Sequence, residues 1–290
     1  MNKKTVTLLA SFGLLFVTII WGFAFVVVKN SLDSIPPIWM MVFRFTIAAV
    51  CLCIIFFRRL LKCNLKTFIH GIIIGLTLFF AYAFQTIGCK YTSAGKNAFL
   101  TTTYVILVPF VNWALYKKKP AFISVIAAFL SLAGIALLSL RGDFSMNIGD
   151  ILTLICGICY ALQIVFIARY SSDDDPILLS IIQIALTAIL SWIIAPLADG
   201  PFQLQGLKSQ GLIASMLYLG LLSTMLAFLL QTVCQKYTQP SLAAILMSFE
   251  SVFGMLFSII FLHELFTIRI ASGCLLMFIS VILSETLGQK

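Results

Sequence analysis

Charge is what this chain has least of. Of its 290 residues, 10% are Asp, Glu, Lys or Arg, and only ten are acidic. A soluble domain carries about 25% charged residues, so an ordinary globular domain is excluded. Long polar stretches are missing too. Breaks between apolar runs reach only about ten residues, so no soluble domain is expected and function must be built from helices and their ends. No G-x-x-x-x-G-K-[ST] loop occurs, which excludes a built-in ATPase of that type. Histidine is scarce, with His70 and His263 alone. His263-Glu264 is a dipeptide and not the H-E-x-x-H of a zinc protease, so membrane catalysis is a minor reading. The eight cysteines show no metal or disulfide framework. Cys156-x-x-Cys159 sits in an apolar run without a thioredoxin-like context and reads as a packed helix.

What is present is hydrophobicity: 61% of the residues are apolar and the mean hydropathy is +1.10. Ten apolar runs are expected to cross a bilayer: 8–28, 38–57, 67–88, 94–115, 121–140, 151–168, 177–198, 211–231, 241–262 and 268–285. Such runs of about 18–25 residues match the thickness of a hydrocarbon core. The first run is long and lacks a small-residue cleavage site, so it reads as a retained helix. The formal charge of +9 suggests nucleic acid only until the charges are placed. With the N-terminus inside, Lys3, Lys4, Arg58, Arg59, Lys62, Lys66, Lys117, Lys118, Lys119, Arg169, Lys236 and Lys290 fall on the inner face. Lys29, Lys90, Lys96, Arg141, Lys208 and Arg269 fall outside. This bias predicts cytoplasmic termini in a bacterial inner or plasma membrane. The bias is weak in the second half, where Arg169 shares its loop with Asp173, Asp174 and Asp175.

The chain repeats itself. Gln85-Thr86-x-x-x-Lys90-Tyr91-Thr92 recurs 146 residues later as Gln231-Thr232-x-x-x-Lys236-Tyr237-Thr238. Trp21, Gly22, Pro37 and Arg44 fall opposite Tyr160, Ala161, Pro176 and Gln183 at an offset of 139. A seven-residue insertion within 199–210 explains the change of offset. Two halves are expected, 1–145 and 146–290, each with five spans. An odd number forces the second half into the membrane upside down, the arrangement of secondary transporters whose substrate sits at the repeat interface.

Several motifs carry a resemblance to a known family. Trp21-Gly22-Phe23-Ala24-Phe25, Pro37, Arg44-Phe45 and Ala48-Ala49 resemble the opening of EamA-type carriers in the drug/metabolite transporter superfamily. Gln85-Thr86, Tyr91-Thr92-Ser93-Ala94, Ala98-Phe99-Leu100-Thr101 and Pro109 resemble the family's third-to-fourth helix segment. Ser248-Phe249-Glu250-Ser251-Val252-Phe253 resembles its L-x-x-E-P-V-F element, with Ser251 where proline is usual, which puts a kink there in doubt. His263-Glu264 resembles the pair that closes that helix, and the first-half counterpart of Glu264 is Lys118. The resemblance implies an all-α protein of ten transmembrane helices in a five-plus-five inverted repeat. It also implies carriage of small metabolites, often amino acids and often outward, without ATP.

Candidate cavity residues follow from register. Asn97, Thr101 and Tyr104 share one face of the fourth span, opposite Ala243, Met247 and Glu250 of the ninth. Trp21 and Phe25, Tyr160 and Gln163, Tyr82 and Gln85, and Phe228 and Gln231 are expected from the first, sixth, third and eighth spans. Aromatic rings mixed with uncharged polar groups suit a small amphipathic solute; the competing reading is that these groups only join helices. Glu250 lies mid-membrane and must face the interior. It is either an ammonium partner, a carrier of a coupling proton, or a hydrogen-bonded structural acid. Arg44 reads as structural and Lys96 as a snorkelling interfacial lysine. Gly71-x-x-x-Gly75 reads as a close helix contact, and Pro109 as a bend in the fourth span.

The expected function is therefore secondary transport of a small metabolite, with no catalysis and no cofactor. The expected partners are that solute, the lipid bilayer and a candidate coupling proton, and not nucleic acid. Lipid or lipid-linked precursor handling and multidrug efflux are the alternatives. Efflux of cations is disfavoured because the first span, Leu8 to Val28, has no acid.

Overall fold

The computed structural model describes residues 3–92, 94–117, 119–139, 146–202, 211–262 and 268–287. Lys118, Arg141, Lys208, His263, Glu264 and Lys290 lie outside the described residues. Ten helical spans cross in sequence. They are Lys3–Ser31, Pro37–Ile55, Leu65–Tyr91, Ala94–Tyr116, Phe122–Ser139, Ile148–Tyr170, Pro176–Ala198, Leu212–Gln235, Pro240–Leu262 and Ile268–Leu287. Eight contain stretches long and apolar enough to cross a bilayer; Phe122–Leu137 and Ala271–Ser284 are the two shorter apolar helices. All backbone polar groups must be satisfied within such a span, which leaves the helix as the default. Starts are marked by chemistry legible in the sequence. Pro37, Pro176 and Pro240 occupy first-turn positions, where the missing N–H costs nothing. Asn64 accepts from Thr67 N at 2.8 Å, and Asn147 with Asp150 closes a capping box.

The packing maps onto itself when the halves are exchanged. Span 3 packs on span 6 as span 8 packs on span 1. Span 3 meets span 7 as span 8 meets span 2, and span 9 meets span 1 as span 4 meets span 6. The exchange also leaves the 2–7 and 5–10 contacts unchanged. Short connections make neighbouring spans antiparallel, so spans 1 and 6 run in opposite directions. Close approaches show the same sense. A Cβ on Gly22 would lie 2.6 Å from Phe253 Cβ, and one on Gly71 would lie 2.6 Å from Ile182 Cβ. Gly75 abuts the backbone of Gln183, so the G-x-x-x-G expectation holds for spans 3 and 7.

Spans 4 and 9 are each broken, and at equivalent places. The fourth divides into Ala94–Thr101 and Tyr104–Tyr116, the ninth into Pro240–Met247 and Glu250–Leu262. In both, the backbone tightens to i→i−3 bonding: Thr103 N to Leu100 O and Val105 N to Thr102 O, then Phe249 N to Leu246 O and Ser251 N to Ser248 O. Thr102 Oγ1 and Ser248 Oγ each donate three residues back. Pro109 lies inside the second helix of span 4, and the break precedes it. The doubt about a kink at Ser251 is resolved. Hydroxyls that compete for backbone carbonyls build the break without a proline.

Large apolar side chains such as Phe12, Phe16, Ile54, Phe129 and Ile189 are exposed, while Thr, Ser and Gln fill much of the interior. A soluble protein would not tolerate that surface; lipid covers it. On the N-terminal face, the acids of the loop after span 6 are paired. Asp175 meets Arg59 at 2.6 Å, Asp173 meets Arg169 at 3.2 Å, and Asp174 meets His70 Nδ1 at 2.6 Å and accepts from Thr67 Oγ1 at 2.6 Å. Arg59 and His70 of the first half thus pair with two acids of the second, while Arg169 pairs within its own half. Burial alone would push the Asp174 carboxyl up, but Thr67, His70 and nearby Lys66 hold it below its ordinary value. On the opposite face, Asp199 accepts from Ile38 N and Trp39 N, ending span 7 against the start of span 2.

Candidate substrate cavity

A central cavity lies among spans 1, 2, 3, 4, 6, 8 and 9. Trp21, Phe25, Tyr82, Gln85, Asn97, Tyr104, Tyr160, Gln231, Met247 and Glu250 line it. These are ten of the thirteen expected residues. Thr101, Gln163 and Phe228 stand behind the wall instead. Thr101 Oγ1 accepts from Gln85 Nε2 at 3.2 Å. Gln163 Nε2 donates to Gln183 Oε1 at 3.1 Å, and Gln163 Oε1 accepts from Gln231 Nε2 at 3.3 Å. Phe228 is fully buried against the rings of Trp21 and Tyr82.

The aromatic wall is continuous. Tyr82 contacts Tyr160 edge-on at 5.8 Å, and Tyr160 contacts Tyr104 at 6.3 Å. Tyr160 OH donates to Gln85 Oε1 at 3.3 Å. Trp21 Nε1 donates to Ser223 O at 2.9 Å. That carbonyl belongs to a π-helical stretch, Tyr218–Leu226, inside span 8. Wider turns of this kind recur at functional sites because they redirect backbone groups.

Charge enters at two points. Glu250 is 5% exposed and accepts from Tyr104 OH at 3.2 Å. Tyr104 and Glu250 are repeat equivalents, so the pseudo-two-fold axis passes between them. Arg44, read from the sequence as structural, is 2% exposed, joins span 2 to span 8 and also lines the cavity. Its Nε donates to Thr224 Oγ1 at 2.9 Å and Nη2 to Ser223 Oγ at 3.1 Å, with Tyr82 OH at 3.5 Å. The guanidinium sits 4.7 Å from the Tyr82 ring centre. Every hydrogen-bond partner of Arg44 is neutral. An arginine six residues into a span was the signal: a buried cation in a membrane must be served by polar groups or a cavity. Lys96 is also corrected. Its Nζ meets Asp150 Oδ2 at 2.7 Å, joining span 4 to the capped start of span 6.

Two side-chain oxygens in the lining, Asn97 Oδ1 and Gln231 Oε1, are buried without a hydrogen-bond partner. The chemistry the lining offers is a cation at one point, an acid at another and an aromatic wall.

Comparisons with known proteins match this architecture. The EamA-like transporter family matches residues 8–140 and again 147–286. An uncharacterized transporter of Archaeoglobus fulgidus is 36% identical over 276 residues, covering 95% of this chain and 85% of that protein. The uncharacterized transporter YoaV of Bacillus subtilis is 26% identical over 277 residues, covering 91% and 92%. A solved crystal structure superposes with a TM-score of 0.80 at 17% identity over 99% of each chain, a likeness of fold alone.

Proposed function

The chain belongs to the EamA-like transporter family, and on that premise we propose that it carries a small zwitterionic solute, an amino acid or close analogue, by alternating access. The observation that supports the substrate class is that Arg44 and Glu250 both line one cavity. The guanidinium, bonded only to neutral partners, is free to take a carboxylate. Glu250 takes the ammonium or, in the absence of solute, a coupling proton. The aromatic wall holds the apolar side chain. Two helix bundles rock about the central site, which opens to one side at a time. The chain sits in a bacterial plasma membrane with both termini cytoplasmic, which the basic residues of the N-terminal face support. Export is the proposed direction, on the family resemblance.

The test is uptake and counterflow in proteoliposomes against an amino-acid panel, with and without a pH gradient. Saturable counterflow of one or more amino acids, accelerated by the gradient, is the expected result. Counterflow of none of them, with the protein folded, rejects the substrate class.

A further inference from the structure

The cavity is symmetric at its centre and one-sided at its end. Near the axis both members of a repeat pair line it, as with Trp21 and Tyr160, or Tyr104 and Glu250. Away from the axis one member of a pair lines it alone, and toward the loop after span 1 four of these are first-half residues. Val28, Thr86, Cys89 and Asn97 line the part that reaches toward the loop after span 1. Their equivalents are Ile167, Thr232, Gln235 and Ala243. All four are buried, and none lines the cavity.

One of these four is anomalous. Gln235 is 1% exposed, and neither its Nε2 nor its Oε1 has a hydrogen-bond partner. Among the described residues, no other buried side chain has two orphaned polar atoms. A carboxamide left this way is costly to bury and calls for an explanation. Asn97 and Gln231, which also carry an orphan oxygen, both face the open cavity. Gln235 has the same signature on the side that is shut. The shutting contacts are visible. Gln163 bonds Gln183, Gln183 bonds Thr232, and Gln231 bonds Gln163, at 3.1, 3.1 and 3.3 Å. This amide chain ties spans 6, 7 and 8 together. On the open side Ala24 replaces Gln163, so no equivalent chain can form.

We propose that Gln235 is a substrate contact of the opposite conformation, in which the amide chain parts and a second polar station opens toward the N-terminal face. Its ligand is the same class of small solute, met by one uncharged amide that can donate to a carboxylate and accept from an ammonium. The inference rests on the transport reading above, but its first test needs no substrate.

The first arm is thiol accessibility in the full chain, in a cysteine-free background reconstituted in one orientation. Gln235→Cys and Ala243→Cys are the reporters, and retained Cys89 is the control for the open side. A membrane-impermeant methanethiosulfonate cation is applied to each face. Both reporters are expected to react at least about tenfold faster from the N-terminal face, and Cys89 from the other. Labelling of both reporters from the Cys89 side, or of neither while Cys89 reacts, overturns the proposal. Ala243→Cys is the smaller change and decides the matter if Gln235→Cys fails to fold. The second arm uses Gln235→Met with L-leucine as the probe solute. Half-saturation measured from the N-terminal face is expected to rise about tenfold, the loss of one hydrogen-bonded contact, and not to rise from the other face. An equal rise on both faces, or none, leaves Gln235 as packing and overturns the contact. If wild type shows no leucine counterflow, the substrate reading fails while the accessibility arm still judges the second station.

Discussion

The two halves share a frame and differ in what they hang on it. Spans 4 and 9 break at equivalent residues, and Tyr104 touches Glu250 across the axis. Yet the repeat equivalent of Arg44 is Gln183, that of Asn97 is Ala243, and that of Ala24 is Gln163. Span 3 is a regular α-helix from Leu65 to Tyr91, whereas span 8 carries the π-helical stretch that brings Ser223 and Thr224 to Arg44. The repeat supplies the frame and the divergence its chemistry; under the proposed alternating access the frame would take two mirrored arrangements, which the divergence makes unequal.

The harshest way to break this comparison is to remove a contact the frame depends on. Gly22→Val would place side-chain carbon within 3 Å of the Phe253 and Gly254 backbone. We expect a loss of about 3 kcal/mol or more, seen as failure to recover monodisperse protein in detergent. Its repeat equivalent is alanine, so Ala161→Val is expected to cost less in the same assay.

Making the halves alike tests the divergence. Arg44→Gln installs the residue its equivalent already has. Loss of a charged hydrogen-bonding partner for a carboxylate is expected to lower counterflow roughly hundredfold with the fold retained. An unchanged rate would return Arg44 to a structural role. Glu250→Gln keeps shape and hydrogen bonding without charge. Exchange and gradient-driven transport are expected to weaken together by about 1.5–3 kcal/mol. Loss of the gradient-driven mode alone would instead assign Glu250 the coupling proton.

The smallest effect lies on the N-terminal face, where Asp174 clasps Thr67 and His70. Its carboxyl is held below the ordinary value. Its contribution is therefore fully present above the unfolded carboxylate value, about 3.9, and is lost as pH falls through the folded one. Asp174→Asn is expected to cost about 1–3 kcal/mol at pH 7, read as a lower melting temperature. The gap from wild type should shrink in strong acid, as pH falls through the folded carboxyl value.

The sequence made the spans, the repeat and most of the cavity wall legible, because length, periodicity and register are local properties. Ten residues expected in the lining are there since side chains on one helix face stay together whatever the packing. Thr101, Gln163 and Phe228 were misjudged by a different kind of fact: a few degrees of helix rotation decide whether a polar residue faces the cavity or the helix behind it. The breaks at 102–103 and 248–249 were hidden because proline was the only expected bender, whereas threonine and serine do it here through hydrogen bonds. Lys96 looked interfacial because Asp150, its partner, lies 54 residues away. The π-helical stretch in span 8 has no composition that distinguishes it from its α-helical counterpart.

The central claim is that one cavity reads two opposite charges on one small solute. Counterflow of three matched probes tests it most directly: L-leucine, its decarboxylated amine and its deaminated acid, in wild-type proteoliposomes at neutral pH. The account predicts that leucine exchanges and that each single-charge analogue is slower by at least about tenfold, the loss of one charge-assisted contact. Equal exchange of either analogue with leucine would contradict it.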